Sequence, residues 1–147
     1  MSRRRTQRPK PQPTPRPEQL SPAAPCPCGL PASYADCCGR FHRGGLAAPT
    51  AELLMRSRYS AFALRDEAYL LRSWDPVTRP ERIDFDPRIT WTGLEVLGHT
   101  DGGPFHTEGT VTFRAHYREQ GDPGLMTERS HFVRHEGAWV YHAELSD

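Results

Sequence analysis

The sequence predicts an α+β protein in which a small cysteine-rich hairpin precedes helices packed on a curved antiparallel sheet of about four strands. Three observations support this fold class. All four cysteines fall within residues 26–38, apolar residues recur at helical spacing after Pro49, and apolar and polar residues alternate from residue 89 onward. Helices followed by a run of strands favour two layers, with the helices on one face of an antiparallel sheet.

Length and composition limit the number of domains. The chain has 147 residues, 36% of them hydrophobic, which supports one domain core with a short appendage. We therefore divide it into a tail at residues 1–25, a hairpin at 26–45 and an α+β domain at 46–147. There is no run of about 18 apolar residues, and no apolar segment follows the N-terminal arginines. We expect neither a membrane span nor a secretory signal, and we expect a cytoplasmic protein.

Residues 1–25 differ in charge from the rest of the chain. They contain six basic side chains, one acidic side chain and seven prolines, so they carry +5, whereas the whole chain carries +1 and the remainder −4. A segment with almost no large apolar side chains cannot bury enough surface to fold, and we expect it to be disordered. The charge favours weak contact with nucleic acid or a ribosome; the alternative is a tail that only keeps the protein soluble.

The cysteines have the spacing of a metal site. One residue separates Cys26 from Cys28, eight separate Cys28 from Cys37, and Cys38 follows directly. Because cytosolic thiols stay reduced, a metal explains the cluster better than disulfides do. Four thiolates would complete a tetrahedral Zn²⁺ site with no open position for catalysis. Two alternatives stay open: His42 replaces one cysteine as a ligand, or Cys37 and Cys38 form a metal-free redox pair.

Two helices are predicted after the hairpin. Thr50 is a candidate N-cap for the first helix, and Glu52 lies in its first turn, where a negative charge is favourable. The apolar face of this helix consists of Leu54, Met55, Tyr59 and Phe62. Asp66 is a candidate N-cap for a second helix, which Asp75-Pro76 would end.

Four strands complete the predicted domain. They cover residues 89–97, 105–118, 125–135 and 139–143. The predicted turns between them cover residues 101–104, 121–124 and 135–137. In the first strand the apolar positions switch parity at Gly93, which indicates a bulge or bend.

Two resemblances add to this reading. Cys26-x-Cys28-x8-Cys37-Cys38 resembles the SEC-C motif, a zinc hairpin of the preprotein translocase ATPase and of many unrelated bacterial proteins. Five further segments resemble the YchJ-like family of uncharacterised bacterial proteins: GRFH (39–42), APT (48–50), LMRSRYSAF (54–62), ERSHFVR (128–134) and GAWVY (137–141). Together with the cysteine motif, the match runs from residue 26 to about residue 142. The resemblance implies Zn²⁺ as cofactor and a nuclear transport factor 2-like, or cystatin-like, α+β cone.

Such a cone can enclose a pocket between helices and sheet. The candidate pocket residues are Arg56, Arg58, Tyr59, Trp91, Glu128 and His131. Because both arginines lie among apolar residues of the first helix, each needs a partner if it is buried, and Glu128 is the candidate. The residues therefore form either a structural ion pair or a polar pocket for an anionic or carbonyl-containing ligand. His131 is a candidate general base.

The sequence favours binding over catalysis. It has no Ser-His-Asp signature, phosphate-binding glycine loop or dinucleotide fingerprint. Our leading hypothesis is a zinc-binding, non-catalytic adaptor whose hairpin contacts a chaperone, the secretion machinery or a ribosome. One alternative is a small-molecule-binding or lyase/isomerase-like pocket domain, and a second is a thiol redox or metal-buffering protein.

Overall fold

A computed structural model describes residues 20–146 of the protein. In this part of the chain the helices are α1 (Cys38–His42), α2 (Ala51–Leu64) and α3 (Glu67–Arg72). The strands are β1 (Ile89–Asp101), β2 (Glu108–Glu119), β3 (Asp122–His135) and β4 (Ala138–Glu144). The predicted α+β class is confirmed. Among the described residues, no helix is long and apolar enough to cross a membrane. Residues 1–19, most of the tail that the sequence predicts to be disordered, lie outside the described part.

Both longer helices begin where the sequence places their caps. The side chain of Thr50 accepts a hydrogen bond from the Leu53 N–H at 3.1 Å, and Oδ1 of Asp66 accepts one from the Tyr69 N–H at 3.1 Å. These bonds satisfy N–H groups that have no partner inside a helix. Arg65 has a φ of 57° in the left-handed region, and α2 ends there.

The four strands form an antiparallel meander in the order β1-β2-β3-β4. The irregularity predicted at Gly93 is confirmed, because the register of β1 against β2 shifts between Trp91 and Gly93. A second shift lies between Val96 and Gly98. Bulges increase the local twist and bend the strand. The sheet therefore curves around the side chains on its inner face, where α2 packs.

One predicted turn is wrong. The chain reverses at Gln120 and Gly121, two residues before the expected centre of the turn, and their φ angles are 51° and 93°. A two-residue hairpin turn of type I′ needs positive φ at both central positions, and Gly121 supplies one of them without strain. Gly124 instead lies opposite Tyr117 in the ladder, where a Cβ atom would come within 2.4 Å of the tyrosine ring. A glycine beneath a cross-strand aromatic ring is a strand feature, not a turn signal.

The second strand also starts later than predicted. It begins at Glu108, and Phe105 is 98% exposed in the preceding turn. The last turn is confirmed at Glu136 and Gly137, which both have positive φ.

The cysteine segment packs into the same core as the helices and the sheet. The guanidinium of Arg72 in α3 donates to the carbonyls of Phe41 and His42 at 3.0 and 2.9 Å. Residues 20–25, which were predicted to be part of the tail, pack against the cysteine segment and hydrogen bond to it. The N–H of Tyr34, for example, donates to the carbonyl of Ala24 at 2.7 Å. The cysteine segment is therefore attached to the domain on one side and covered by residues 20–25 on the other.

Candidate metal centre and binding cavity

The four cysteine thiols converge at one buried point. Their Sγ atoms all lie within 4.8 Å of one another, and the residues Cys26, Cys28, Cys37 and Cys38 are 4%, 0%, 3% and 1% exposed. The Sγ atoms of Cys28 and Cys37 are 3.6 Å apart. Four sulfurs bound to Zn²⁺ at ~2.3 Å in a tetrahedron would be about 3.8 Å apart. The described cluster therefore fits a tetrahedral metal ion after small adjustments.

The local backbone explains how two adjacent cysteines face the same point. Cys38 is the first residue of α1, whereas Cys37 precedes the helix with φ −125° and ψ −116°. The kink between them turns both side chains inward. At the other end of the segment, Gly29 has a φ of 89°, and its N–H donates to the carbonyl of Cys26 at 3.1 Å.

The sulfur atoms lie close enough to affect the pKa values of one another. Hydrogen bonds from Cys28 and Cys38 lower the pKa of Cys26. The bond with Cys26 in turn raises the pKa of Cys38, and burial raises the pKa of Cys37 to about 12. Thiols bind a divalent cation as thiolates, so a bound metal ion would displace their protons.

The structure does not bring His42 to the cysteine cluster. Its Nε2 lies 2.8 Å from the carbonyl oxygen of Ser57 and its Nδ1 lies 2.6 Å from the hydroxyl of Tyr34. Because a carbonyl only accepts, Nε2 carries the proton and Nδ1 accepts from Tyr34. Burial lowers the pKa of His42, which favours this neutral form. Both ring nitrogens are therefore engaged away from the cysteines.

Helix α2 contacts the cysteine cluster directly. The hydroxyl of Ser60 lies 3.7 Å from Sγ of Cys26, and Nη1 of Arg56 donates to the carbonyl of Cys28 at 3.1 Å. Nε of Arg56 donates to Glu52 at 3.0 Å. The expected pairing of Arg56 with Glu128 is therefore wrong: Arg56 pairs one turn away on its own helix and fastens the cysteine segment.

A cavity of about 310 Å³ lies between α2 and the inner face of the sheet. Four of the six predicted pocket residues line it: Arg58, Tyr59, Trp91 and Glu128. Its apolar walls include Met55, Phe62, Phe113, Met126 and Phe132. Trp91, Phe62 and Met126 are only half-buried, so this end of the cavity reaches the solvent.

Arg58 is the buried cation of the cavity. It is 5% exposed, and its guanidinium carbon lies 4.9 Å from the ring centre of Trp74 and 4.8 Å from that of Tyr141. Its Nη1 donates to the carbonyl of Leu70 at 2.8 Å and to the hydroxyl of Ser73 at 2.7 Å. Burial lowers the pKa of Arg58 to about 10, so it stays charged at neutral pH.

Glu128 lies in the same cavity but does not pair with Arg58. It accepts a hydrogen bond from the hydroxyl of Ser130 at 2.5 Å, and no ion pair within 4.0 Å joins it to Arg58. Burial raises the pKa of Glu128. The expected ion pair between Arg58 and Glu128 is therefore replaced by two separate polar groups that face one cavity.

His131 is not a pocket residue. It pairs across the sheet with Thr110, so it lies on the outer face, opposite to the side chains of Ser130 and Phe132. There its ring contacts that of His142 at 5.4 Å between centres, and its Nε2 lies 3.8 Å from Glu108. The suggestion that it is a general base in the pocket is wrong, because strand parity directs it outward.

Sequence reasoning missed three cavity residues that carry a hydrogen-bonding side-chain group, Trp74, Ser130 and Tyr141. Ser130 has the parity of Glu128 in β3, so alternation would have placed it inward once Glu128 was assigned. Trp74 pairs with Tyr141 of β4 through a parallel bridge, and the N–H of Tyr141 donates to the carbonyl of Ser73 at 2.9 Å. That contact is long-range and leaves no local pattern.

Residues 50–144 match the family model described as "YchJ, middle NTF2-like domain". The chain is 65% identical over 118 residues to a UPF0225 protein of Streptomyces avermitilis, covering 80% of this chain and 81% of that protein. It is 62% identical over 120 residues to a UPF0225 protein of Streptomyces coelicolor, covering 82% of this chain and 94% of that protein.

Two solved structures share the fold. One is the solution structure of a SEC-C motif containing protein from Rhodopseudomonas palustris, with a TM-score of 0.73 and 34% identity, covering 83% of this chain and 98% of that one. The other is the crystal structure of a SEC-C motif containing protein from Psychrobacter arcticus, with a TM-score of 0.67 and 28% identity, covering 80% of each chain.

Proposed function

The chain belongs to the family of the YchJ middle NTF2-like domain, and on this basis we propose that it is a zinc-stabilised, non-catalytic binding protein whose small-molecule ligand occupies the cavity. The cavity itself carries this proposal. Its volume of about 310 Å³ falls in the range of small-molecule sites, and its mainly aromatic walls with a few polar groups are typical of them.

Zn²⁺ has a structural role in this proposal. Four thiolates fill its tetrahedral shell, so the bound ion supplies folding free energy and no open position for a substrate. Comparable small sites contribute about 10–16 kcal/mol. Because Ser60 and Arg56 of α2 contact the cysteine segment, metal binding would also hold this segment against α2. A reducing compartment such as the cytoplasm keeps the thiols available to the metal, and their burial disfavours the thiol-redox alternative.

The lyase or isomerase alternative depends on Glu128. Among the described residues it is the one carboxyl group in the cavity lining, and its raised pKa suits a proton carrier. Arg58 on the same wall is held by Leu70 and Ser73 and stays protonated, so it provides charge but no second proton-transfer group. This single carboxyl favours binding over an acid–base reaction.

A protein partner for the cysteine segment is a second candidate function. Residues 20–36 contain Asp36 as their one charged side chain, and several prolines and alanines of this stretch are exposed, including Pro22, Ala23, Pro25 and Pro31. An uncharged surface of this kind fits a protein partner, such as a chaperone, the secretion machinery or a ribosomal protein, better than it fits nucleic acid. Weak contact with nucleic acid or a ribosome stays a separate proposal for the basic residues of the tail.

The cavity proposal is tested by NMR chemical-shift mapping of the zinc-loaded full chain against a library of small molecules. We expect shifts in Trp74, Trp91 and Tyr141, and we expect Ala115→Leu to abolish them, because Ala115 lines the cavity and is 1% exposed. The matched control is Thr112→Leu on the opposite face of β2. Shifts confined to the outer face, or unchanged binding by Ala115→Leu, would contradict the proposal.

The partner proposal needs its own experiment. Purified candidate partners should bind the zinc-loaded protein and lose binding after Cys28→Ser, whereas Arg118→Gln, at an exposed position near the turn between β2 and β3, should have no effect. Equal binding by the wild type and Cys28→Ser would exclude the cysteine segment as the contact surface.

A further inference from the structure

We propose that the cavity binds a small aromatic carboxylate, with its carboxylate at Arg58 and its apolar body between α2 and the inner face of the sheet, against Trp91. The inference rests on the proposed function, since it requires a ligand in this cavity, and it names the chemical class of that ligand. Three features of the described residues support it: unused hydrogen-bond donors of Arg58, an unpartnered indole N–H beside them, and the size and composition of the walls.

Arg58 lacks a counter-charge. A guanidinium has five N–H donors, and the two hydrogen bonds of Arg58 both come from Nη1. Within the described part of the chain, Nε and Nη2 make no hydrogen bond and no carboxylate lies within 4.0 Å. A cation that is 5% exposed is costly without a partner of opposite charge. Its free donors form a planar fork, which suits a carboxylate bound through both oxygens.

Trp74, which stacks beside Arg58, carries a second unused donor. Its Nε1 is buried and has no hydrogen-bond partner, and its ring lies 4.9 Å from the guanidinium carbon of Arg58. Buried polar groups in proteins are almost always hydrogen-bonded. Two neighbouring residues with unused donors therefore indicate a ligand group that only accepts hydrogen bonds, as an ionised carboxylate does.

Glu128 must be weighed against this conclusion, because an ionised carboxyl group would favour a cationic ligand. It is half-buried, whereas Arg58 is almost fully buried, and burial favours its neutral form. A protonated Glu128 can itself donate to a ligand carboxylate. Arg58 therefore dominates the charge of the cavity.

The walls set the size and shape of the ligand. A cavity of ~150 Å³ holds a benzene molecule, so 310 Å³ has room for about 12 non-hydrogen atoms. Tyr59, Trp91 and Phe113 offer ring faces and edges for a flat aromatic body. Met55 and Met126 add adaptable thioether contacts at its sides. An aromatic ring with a short chain ending in a carboxylate satisfies these limits.

Three matched probes test the inference: 3-phenylpropanoate, its amide 3-phenylpropanamide, and 3-phenylpropylamine. Each is titrated into the zinc-loaded full chain, with tryptophan fluorescence and calorimetry as readouts. A charge-assisted hydrogen bond contributes about 1.5–3 kcal/mol, so we expect the carboxylate to bind roughly 10- to 150-fold more tightly than the amide. The amine should bind least.

Variants then locate the effect. Arg58→Gln should remove the preference for carboxylate over amide, and the control Arg118→Gln should leave it unchanged. If Arg58→Gln does not fold, the comparison of the three probes on the wild type still tests the preference for a carboxylate. Tighter binding of the amine or equal binding of the amide would overturn the carboxylate inference and leave the binding cavity intact. Absence of binding by all three probes would overturn the proposed cavity function itself.

Discussion

Replacing His42 with alanine separates a structural histidine from a metal ligand. His42 is 8% exposed, and the substitution removes its hydrogen bonds to Tyr34 and Ser57 and its ring contact with Tyr69, whose centre lies 4.6 Å away. Each lost bond costs about 1 kcal/mol net, and the partners left without a bond cost a further 1–3 kcal/mol. With about 0.5–1.5 kcal/mol for the ring contact, we expect a destabilisation of about 3.5–6.5 kcal/mol.

The assay is chemical denaturation of the zinc-loaded protein together with a measurement of bound zinc. We expect His42→Ala to lower the unfolding free energy while the folded protein keeps its zinc, because all four metal-binding side chains remain. Cys38→Ser should instead lose the metal and a much larger free energy, of about 10–16 kcal/mol at a comparable site. The control His99→Ala changes an exposed side chain and should cost less than about 0.5 kcal/mol.

Loss of zinc from folded His42→Ala would refute the assignment of His42 to the hydrogen-bond network. A destabilisation below about 1 kcal/mol would refute the estimate drawn from its contacts.

Three further predictions follow from the structure. Removal of zinc by a chelator should weaken ligand binding in the cavity, measured by calorimetry, because α2 carries Ser60 to the cysteines and Arg58 to the cavity; equal affinity with and without zinc would show that the two sites are independent. Burial raises the pKa of Glu128 against the opposing effects of Ser130 and Arg58, with Glu144 adding to the rise, so its contribution to stability is complete below the ordinary value of 4.5 and is lost as the pH rises through the raised value. The unfolding free energy of Glu128→Gln relative to the wild type should therefore rise from about pH 4 to neutral pH. A fall in this difference over the same range would contradict a raised pKa for Glu128. Gly109→Ala should destabilise the protein by about 1–3 kcal/mol or more, because a Cβ atom there would lie 2.5 Å from the backbone of Gly102; Gly98→Ala, which meets nothing within 4 Å, is the matched control in thermal denaturation.

Local chemistry explains which parts of the fold the sequence could predict. Caps at Thr50 and Asp66 depend on hydrogen bonds within three residues, and the bulge at Gly93 shows as a switch in alternation. Both are visible in a short window of sequence. Gly124 was assigned to a turn because glycine beside proline usually marks one, whereas its role depends on a ring from the neighbouring strand.

The site was less predictable than the fold. The cysteine spacing identified the four thiols that the structure brings together, since their separation in sequence is short. Alternation showed two faces of β3 but not which face is inner, so His131 was included wrongly. The contacts that make Arg58 a binding group come from Trp74 and Tyr141, on elements far apart in the chain, and only the folded structure shows them.

X-ray absorption spectroscopy of the zinc-loaded full chain tests the metal centre most directly. The structure predicts one zinc ion per chain with four sulfur neighbours at ~2.3 Å and no nitrogen neighbour, because Cys26, Cys28, Cys37 and Cys38 converge while His42 is engaged elsewhere. A shell of three sulfurs and one nitrogen, or a folded protein that binds no zinc, would contradict this prediction.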